Sequence, residues 1–294
     1  MTGNSSRRAF MALACASAAL LAACGSGTIE SALKPTRMLS VGDGFSDLGQ
    51  GGTRYTVNDS TINIWSEQVA TSYGLTLKAV ANGGLSYAQG GARVTGAGAA
   101  PSIQTQVDTL LAANTFSATD MVLVNGGISD IVAEVTALGI SDQTTTNVKA
   151  AGVALGAQVR RLVTAGAKHV VVAGVYNLGL SPWAVGLGQA GALTELSSQF
   201  NSAFLVSVAD LGANVLYVDA ALYFNLVYAS PASYGLVNVT GKACTTTDAS
   251  TCTTSTITSG IDYATALFAD GVYLTPVANR LFGANAYTRV TQRW

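Results

Sequence analysis

Short apolar runs alternate with longer segments of helical periodicity from about residue 36 to the end of the chain. The apolar runs, each short enough for a buried strand, are 38–41, 75–80, 121–125, 169–175 and 215–218. The segments with apolar residues at helical spacing are 62–73, 103–113, 145–165, 192–211 and 276–290. This alternation predicts an α/β fold, a three-layer α/β/α sandwich in which helices cover both faces of a parallel sheet of about five strands.

The economical division of the chain is a single domain, residues 36–294, that follows an N-terminal address at 1–24 and a short tether at 25–35. No internal repeat is evident in the sequence. The Thr- and Ser-rich segment 245–260 is low in complexity, and we expect a solvated loop there.

Three loops follow the ends of predicted strands. Residues 42–49, 82–93 and 126–130 come after the first, second and third predicted strands. Because ligands of parallel α/β sheets bind beyond the carboxyl ends of the strands, these loops should share one edge and form the site. His169 begins the fourth predicted strand, so we expect it at the opposite edge.

Composition narrows the function classes. The chain has 294 residues, of which 49% are hydrophobic, and this is ample for a core. Only 11% are charged and the formal net charge is -1, so no electrostatic footprint for nucleic acid exists. One histidine excludes a zinc site built from histidines, and the four cysteines contain no CxxC pair. We therefore expect no metal, no cofactor and no nucleic-acid partner.

Residues 1–24 have the organisation of an export signal. Arg7 and Arg8 form a basic start, an apolar run too short to span a bilayer comfortably follows, and small residues precede Cys24. No later segment has an uninterrupted apolar run long enough to cross a bilayer. The sequence therefore predicts an exported protein.

The end of that signal resembles a bacterial lipobox, Leu-Ala-Ala-Cys at 21–24, which implies that Cys24 is lipidated and anchors the protein to a membrane. The residue after the cysteine is Gly25 and not an aspartate. By resemblance to known lipoprotein sorting rules, this favours the outer membrane. Residues 6–11 also resemble a twin-arginine motif without its usual lysine, so the export route stays open. The alternative is a cleaved signal in which Cys24 is incidental.

Export also gives a reason for the remaining cysteines. Cys244 and Cys252 flank a short polar loop, and in an oxidising compartment they are expected to form a disulfide. The alternative is a pair of buried free thiols.

The turn at 42–49, Gly-Asp-Gly-Phe-Ser-Asp-Leu-Gly, resembles the first signature block of the GDSL, or SGNH, hydrolases, usually GDSLSDxG. The matching positions are Gly42, Asp43, Ser46, Asp47 and Gly49. Gly44 stands where that family carries its serine nucleophile. The resemblance implies the flavodoxin-like fold of that family. It also implies an esterase-type site with a serine, a histidine base, an aspartate that orients the histidine, and an oxyanion hole.

Two further blocks resemble the oxyanion hole of that family. Residues 87–93 are similar to NYAxGGA, with Gly91 at the oxyanion glycine. Residues 124–130 are similar to GGxND, with Ser129 in place of the asparagine. A serine hydroxyl is shorter than a carboxamide, and losing one oxyanion donor costs on the order of 3 kcal/mol in subtilisin-like cases.

The last block, residues 268–276, resembles FxDxxHPT with Leu274 inserted before the Thr-Pro pair. Asp270 is kept, whereas Tyr273 replaces the histidine. A phenol with an ordinary pKa of about 10 is a poor proton acceptor at neutral pH. The family positions are therefore Gly44, Gly91, Ser129, Asp270 and Tyr273, and only the second and fourth keep the family residue.

This resemblance implies an SGNH/GDSL-type envelope lipoprotein that is hydrolytically silent and binds an acyl or acetylated-glycan ligand. Two alternatives remain open at the level of sequence. One is an active ester hydrolase that uses a non-standard nucleophile, Ser46, Ser86 or Ser129. The other is a structural envelope protein for which the cleft is irrelevant.

Overall fold

Four parallel strands form the central sheet in the computed structural model, which describes residues 31–98 and 100–294. They are β1 (Arg37–Val41), β2 (Asp120–Asn125), β3 (His169–Ala173) and β4 (Val215–Val218), in the order β1-β2-β3-β4. Because all three pairings are parallel, the carboxyl ends of the strands meet at one edge. The predicted α/β fold is confirmed. The predicted signal peptide and Cys24 lie outside the described residues.

The helices over the described ranges are α1 (Trp65–Ser72), α2 (Ile103–Ala113), α3 (Ile128–Leu138), α4 (Asp142–Thr164), α5 (Pro182–Gly186), α6 (Ala190–Ser207), α7 (Ala220–Ala229) and α8 (Pro276–Arg293). The helix predicted over 103–113 agrees at both ends, and Thr275 caps α8, its side chain accepting a hydrogen bond from the Ala278 N–H. In this part of the chain, none of these helices combines the length and apolarity that crossing a membrane requires.

The predicted strand at 75–80 is wrong. That segment forms no strand of the sheet, and residues 85–87 lie beside β1 instead: the Ser40 N–H donates to the Leu85 carbonyl at 3.1 Å, and the Tyr87 N–H donates to the Ser40 carbonyl at 2.7 Å. A turn at 80–84 reverses the chain, with Gly84 packed tightly on the Lys78 carbonyl. The fifth strand is thereby reduced to isolated bridges, and the sheet has four strands.

A second, two-stranded sheet pairs β5 (Asn238–Lys242) with β6 (Ala266–Phe268). The predicted disulfide between Cys244 and Cys252 is present at its edge. The loop that it closes is only partly solvated, contrary to the prediction, because Ala249 and both cysteines are buried against Val57 in a small apolar cluster. The many Thr and Ser residues of this segment concealed those buried positions in the sequence.

Candidate active site

The turn after β1 is held by the buried carboxylate of Asp43. Its Oδ1 accepts hydrogen bonds from the Phe45 N–H at 3.0 Å and from Asn125 Nδ2 at 2.6 Å. Its Oδ2 accepts from the Ser129 N–H at 3.4 Å. One side chain therefore joins the turn, the end of β2 and the first turn of α3, and these are the elements that the sequence placed at one edge.

A second buried carboxylate joins this turn to the next loop. Asp47 Oδ1 accepts from the Gly49 and Gln50 N–H groups, and its Oδ2 accepts from the Gly90 N–H at 2.8 Å. Burial raises the pKa of Asp47, and these donors oppose the rise. The acidic character of the turn thus has a structural role, since both carboxylates bind backbone or amide N–H groups.

A cleft of about 590 Å³ lies over this edge of the sheet. Of the five positions that the resemblance singles out, Gly91, Ser129, Asp270 and Tyr273 line it, and Gly44 lies against Tyr273. Gly91 has φ 76°, a left-handed conformation that favours glycine. The structure thus brings together residues that lie as far apart in sequence as 44 and 273.

Tyr273 fills the space that a side chain at position 44 would need. An ideal Cβ built on Gly44 would lie 2.7 Å from the Tyr273 hydroxyl oxygen and 2.8 Å from Cζ, closer than real Cβ contacts. The ring of Tyr55 packs against the other side, with ring centroids 4.9 Å apart. The two departures from the family pattern are therefore coupled: the tyrosine ring as placed excludes a serine at position 44.

Tyr273 cannot replace a histidine as a base. Burial, together with the nearby negative charges of Asp43 and Asp270, raises its pKa well above the ordinary phenol value. The hydroxyl is therefore protonated at neutral pH and serves as a hydrogen-bond donor or a neutral acceptor.

Asp270 is occupied by the backbone. Its Oδ1 accepts from the Val272 N–H at 2.7 Å and the Tyr273 N–H at 2.6 Å, and its Oδ2 accepts from the Ala249 N–H at 2.8 Å. The carboxylate thus closes the 270–273 turn and attaches the disulfide loop to it. Burial raises the pKa of Asp270, with these three donors opposing the rise.

Ser129 is the alternative nucleophile that lines the cleft. It is 8% exposed, and its Oγ makes no hydrogen bond of ordinary geometry among the described residues, although the Tyr273 hydroxyl lies near it. Ser46 is fully buried and accepts a hydrogen bond from Trp65 Nε1 at 2.9 Å, whereas Ser86 is fully buried beside β1. Neither of these two hydroxyls is open to a substrate.

His169 lies far from this edge. It is the first residue of β3, as the sequence argument expected, and its ring packs edge-on against Trp294 with centroids 4.9 Å apart. Burial lowers its pKa. The single imidazole of the chain is thus not part of the cleft.

Arg93 lines the cleft, and the sequence analysis did not single it out. Arg93 forms ion pairs with Glu134 and with Asp130, the latter at 3.7 Å. Both oxygens of Asp130 accept from the Val94 N–H, at 3.2 and 3.1 Å. Asp130 is the aspartate of the third block, so the motif could have identified it. Arg93 ends the second block, but that motif gave it no role. No group of three or more potential metal ligands is assembled within the two described ranges.

Asp130 should make stability fall as pH rises. Burial raises its pKa to about 7, with Arg93 opposing the rise and Asp43 adding to it. The folded state therefore holds a proton that the unfolded chain releases near pH 4, so the stabilisation is complete below about pH 4 and lost as pH rises through 7. Urea midpoints at pH 5 and pH 8 test this, with Asp130→Asn as the reference because other groups, His169 included, also titrate. We expect wild type to lose more stability than the variant over this interval, and equal losses would contradict the assignment.

No protein-family model matches the sequence, and no curated protein matches it. Solved structures do match. A member of the lipolytic protein G-D-S-L family from Veillonella parvula superposes with a TM-score of 0.52 at 14% identity, over 88% of this chain and 99% of the other. A putative GDSL-like lipase from Parabacteroides merdae gives a TM-score of 0.52 at 13% identity, over 90% and 100%. A catalytic mutant of an acetylxylan esterase from Geobacillus stearothermophilus gives 0.50 at 14% identity, over 87% and 93%.

The chain therefore has the fold of the GDSL, or SGNH, hydrolases and acetylesterases. At these identities the likeness establishes the fold, and the chemistry must be argued from the residues of this cleft. Gly44 and Tyr273 stand where the sequence resemblance places the nucleophile and the base.

Proposed function

We propose that this protein is a hydrolytically silent SGNH-fold lipoprotein whose cleft binds an acyl or acetylated-glycan ligand. The observation that carries the proposal is the position of the Tyr273 ring, which fills the space where a side chain at Gly44 would stand. With neither an attacking oxygen at 44 nor an imidazole in the cleft, the standard covalent step has no nucleophile and no base.

The expected loss of rate is large. Members of a catalytic triad act as a unit, so losing nucleophile and base leaves at most the roughly thousandfold acceleration over water that binding and an oxyanion hole supply. The oxyanion hole is weaker here as well, since Ser129 stands where the family has an asparagine. Ester turnover should therefore be indistinguishable from the blank.

Binding is favoured by the form and lining of the cleft. Its volume of about 590 Å³ lies within the range of small-molecule sites. Apolar side chains of Val132, Ala133 and Val272 line it beside the unpartnered Ser129 hydroxyl. A ligand with an apolar group and a carbonyl or hydroxyl oxygen would contact the apolar side chains and also form a hydrogen bond with the Ser129 hydroxyl.

The proposed setting is the cell envelope, with an anchor at Cys24 and the outer membrane as destination. The lipobox-like residues 21–24 and the Cys244–Cys252 disulfide of an oxidising compartment support this. Metabolic labelling with a palmitate analogue, compared between wild type and Cys24→Ala, tests the anchor. Absence of label from wild type would contradict it.

The catalytic part is tested on the chain from residue 25 onward, with a fluorophosphonate probe and short-chain p-nitrophenyl esters. We expect no labelling and no turnover above the blank. Stoichiometric labelling with turnover would instead support the active-hydrolase alternative. Loss of both in Ser129→Ala would identify Ser129 as the nucleophile, because it is the one of the three candidate serines that lines the cleft.

The binding part is tested by thermal shift with short fatty acids and acetylated xylo-oligosaccharides. We expect stabilisation by at least one ligand without turnover. If none stabilises the protein, the cleft has no such ligand and a structural role in the envelope is the better explanation.

A further inference from the structure

The charges around the cleft do not balance. Arg93 is the basic side chain among the lining residues, and its ion pair with Glu134 already neutralises it. The carboxylates of Asp248 and Asp270 also line the cleft, and neither has a basic side chain at ion-pair distance within residues 31–98 and 100–294. An occupant of the cleft therefore meets uncompensated negative charge.

The two carboxylates differ in what they can still bind. Asp270 is 4% exposed and already accepts three backbone N–H groups. Asp248 is exposed, and its Oδ1 accepts only the Ser250 N–H at 2.8 Å, so Oδ2 is open to a ligand. The disulfide and the bond from the Ala249 N–H to Asp270 fix the position of the loop that carries Asp248. The acceptor for a positively charged ligand is thus Asp248.

Aromatic rings lie beside this acceptor. Tyr55 and Tyr273 both line the cleft as a tilted pair with an interplanar angle of 57°. Burial raises the pKa of Tyr55, and the charges of Asp248, Asp47 and Asp270 raise it further, which places this ring in a field of negative charge. Tyrosine rings next to carboxylates attract organic cations through the negative faces of the rings.

A separate feature indicates that the cleft takes a ligand with a polar oxygen. Ser129 is more than nine-tenths buried, and its Oγ, at the first turn of α3, makes no hydrogen bond of ordinary geometry in the described part of the chain, with the Tyr273 hydroxyl as the polar group near it. A buried hydroxyl without a partner is costly unless a ligand or water satisfies it.

We propose that the cleft selects organic ammonium ligands, with the cation held by Asp248 against Tyr55 and Tyr273 and an oxygen of the ligand bound by the Ser129 hydroxyl. The inference deepens the proposed function, since it rests on the cleft being a binding site and names the charge of the preferred ligand. Primary amines of amino sugars and quaternary amines of choline type share this chemistry.

Matched probes separate charge from shape. Isothermal calorimetry on the full-length protein in nonionic detergent would compare choline with 3,3-dimethyl-1-butanol, its uncharged isostere, and glucosamine with N-acetylglucosamine and glucuronate. We expect one charged amine to bind about five- to thirtyfold more tightly than its neutral counterpart, the range for a partly desolvated cation on aromatic rings. If the affinity ratio of choline to its isostere is the larger one, the preferred ligand is a quaternary amine. If the ratio of glucosamine to N-acetylglucosamine is larger, it is a primary amine.

A variant tests the assigned acceptor. Asp248→Asn keeps an oxygen that accepts from the Ser250 N–H, so the loop is retained, and we expect it to weaken the amine about fivefold while leaving the neutral probe unchanged. Asp262→Asn is the matched control, because Asp262 is also exposed, accepts in the same way from the Ala264 N–H, and does not line the cleft. An equal effect of both variants would overturn the assignment of Asp248.

The outcomes also separate this inference from the proposed function. Equal affinity for charged and neutral probes, or tighter binding of glucuronate, would overturn the ammonium preference while leaving a silent binding cleft. No binding of any probe would overturn the ammonium preference, and the acyl and acetylated-glycan ligands of the thermal-shift test would decide the proposed function separately. Turnover of an ester would overturn the silent function without touching the charge preference.

Discussion

Gly44→Ser combined with Tyr273→His should give a cleft that a fluorophosphonate probe labels, whereas we expect the wild-type cleft to stay unlabelled. The double substitution supplies the attacking oxygen and the base together, and it removes the ring that lies 2.7 Å from the Cβ position of residue 44. Asp270 is held beside residue 273 by its hydrogen bond to that N–H, and its Oδ2, which accepts only the Ala249 N–H, keeps a lone pair that could orient the new imidazole. Labelling followed over hours by intact-mass spectrometry measures the result.

The single variants are the controls. Gly44→Ser alone should remain unlabelled and lose about 1–3 kcal/mol of stability, because it overpacks against the Tyr273 ring. Tyr273→His alone should remain unlabelled because it has no nucleophile. A stability cycle over the four proteins should show a favourable coupling between the two substitutions.

Adding Ser129→Asn should raise the labelling rate further, by about 10²–10³-fold if the carboxamide regains a full oxyanion contact. Gly91 stays unchanged in all variants and its N–H completes the proposed oxyanion hole. A triple variant that folds, as judged by its melting transition, yet stays unlabelled would show that the cleft has changed beyond these positions.

Local sequence patterns predicted the helices that have apolar residues on one face and polar residues on the other. The helix over 103–113 has a clear apolar stripe and a serine cap, and the structure reproduces its bounds. Helix α7 was missed because its sequence is apolar almost throughout, so that Leu222 and Leu226 remain about half exposed and no stripe is visible. The strand over 75–80 was wrong because the competing pairing is made by residues that a turn returns to β1, which no local pattern records.

In the candidate site, too, the sequence predicted the positions that belong to motifs and missed the contacts between distant residues. Motif order placed Gly91, Ser129, Asp270 and Tyr273 at one edge, and the structure brings them to one cleft. The steric exclusion between positions 44 and 273 depends on a contact between residues far apart in sequence. The sequence showed that each residue differs from the family pattern, but not that the two differences are coupled. No block of the sequence analysis assigned a role to Tyr55 or Asp248, and they line the cleft because the disulfide loop and the segment after the 42–49 turn both reach it.

Asp43→Ala should be among the most destabilising single substitutions in this chain, by about 3 kcal/mol or more. Asp43 is fully buried and accepts from the Phe45 N–H, Asn125 Nδ2 and the Ser129 N–H. Each of these donors would lose its partner where water cannot replace it, and an unsatisfied buried group costs about 1–3 kcal/mol. Urea unfolding of the variant and wild type measures the difference.

Two further variants show whether hydrogen bonding, and not volume or charge alone, sets this loss. Asp43→Asn keeps the shape and one acceptor but presents an amide N–H where the Ser129 N–H needs an oxygen, so we expect a loss smaller than that of Asp43→Ala. Asp210→Ala removes a carboxylate that pairs with Arg160 on the surface, where solvent screens the pair, so we expect it to cost much less stability than Asp43→Ala. If Asp43→Ala lost no more than Asp210→Ala, the carboxylate would not be what joins the turn after β1 to β2 and α3, and the geometry of the cleft would have to depend on the packing of those elements alone.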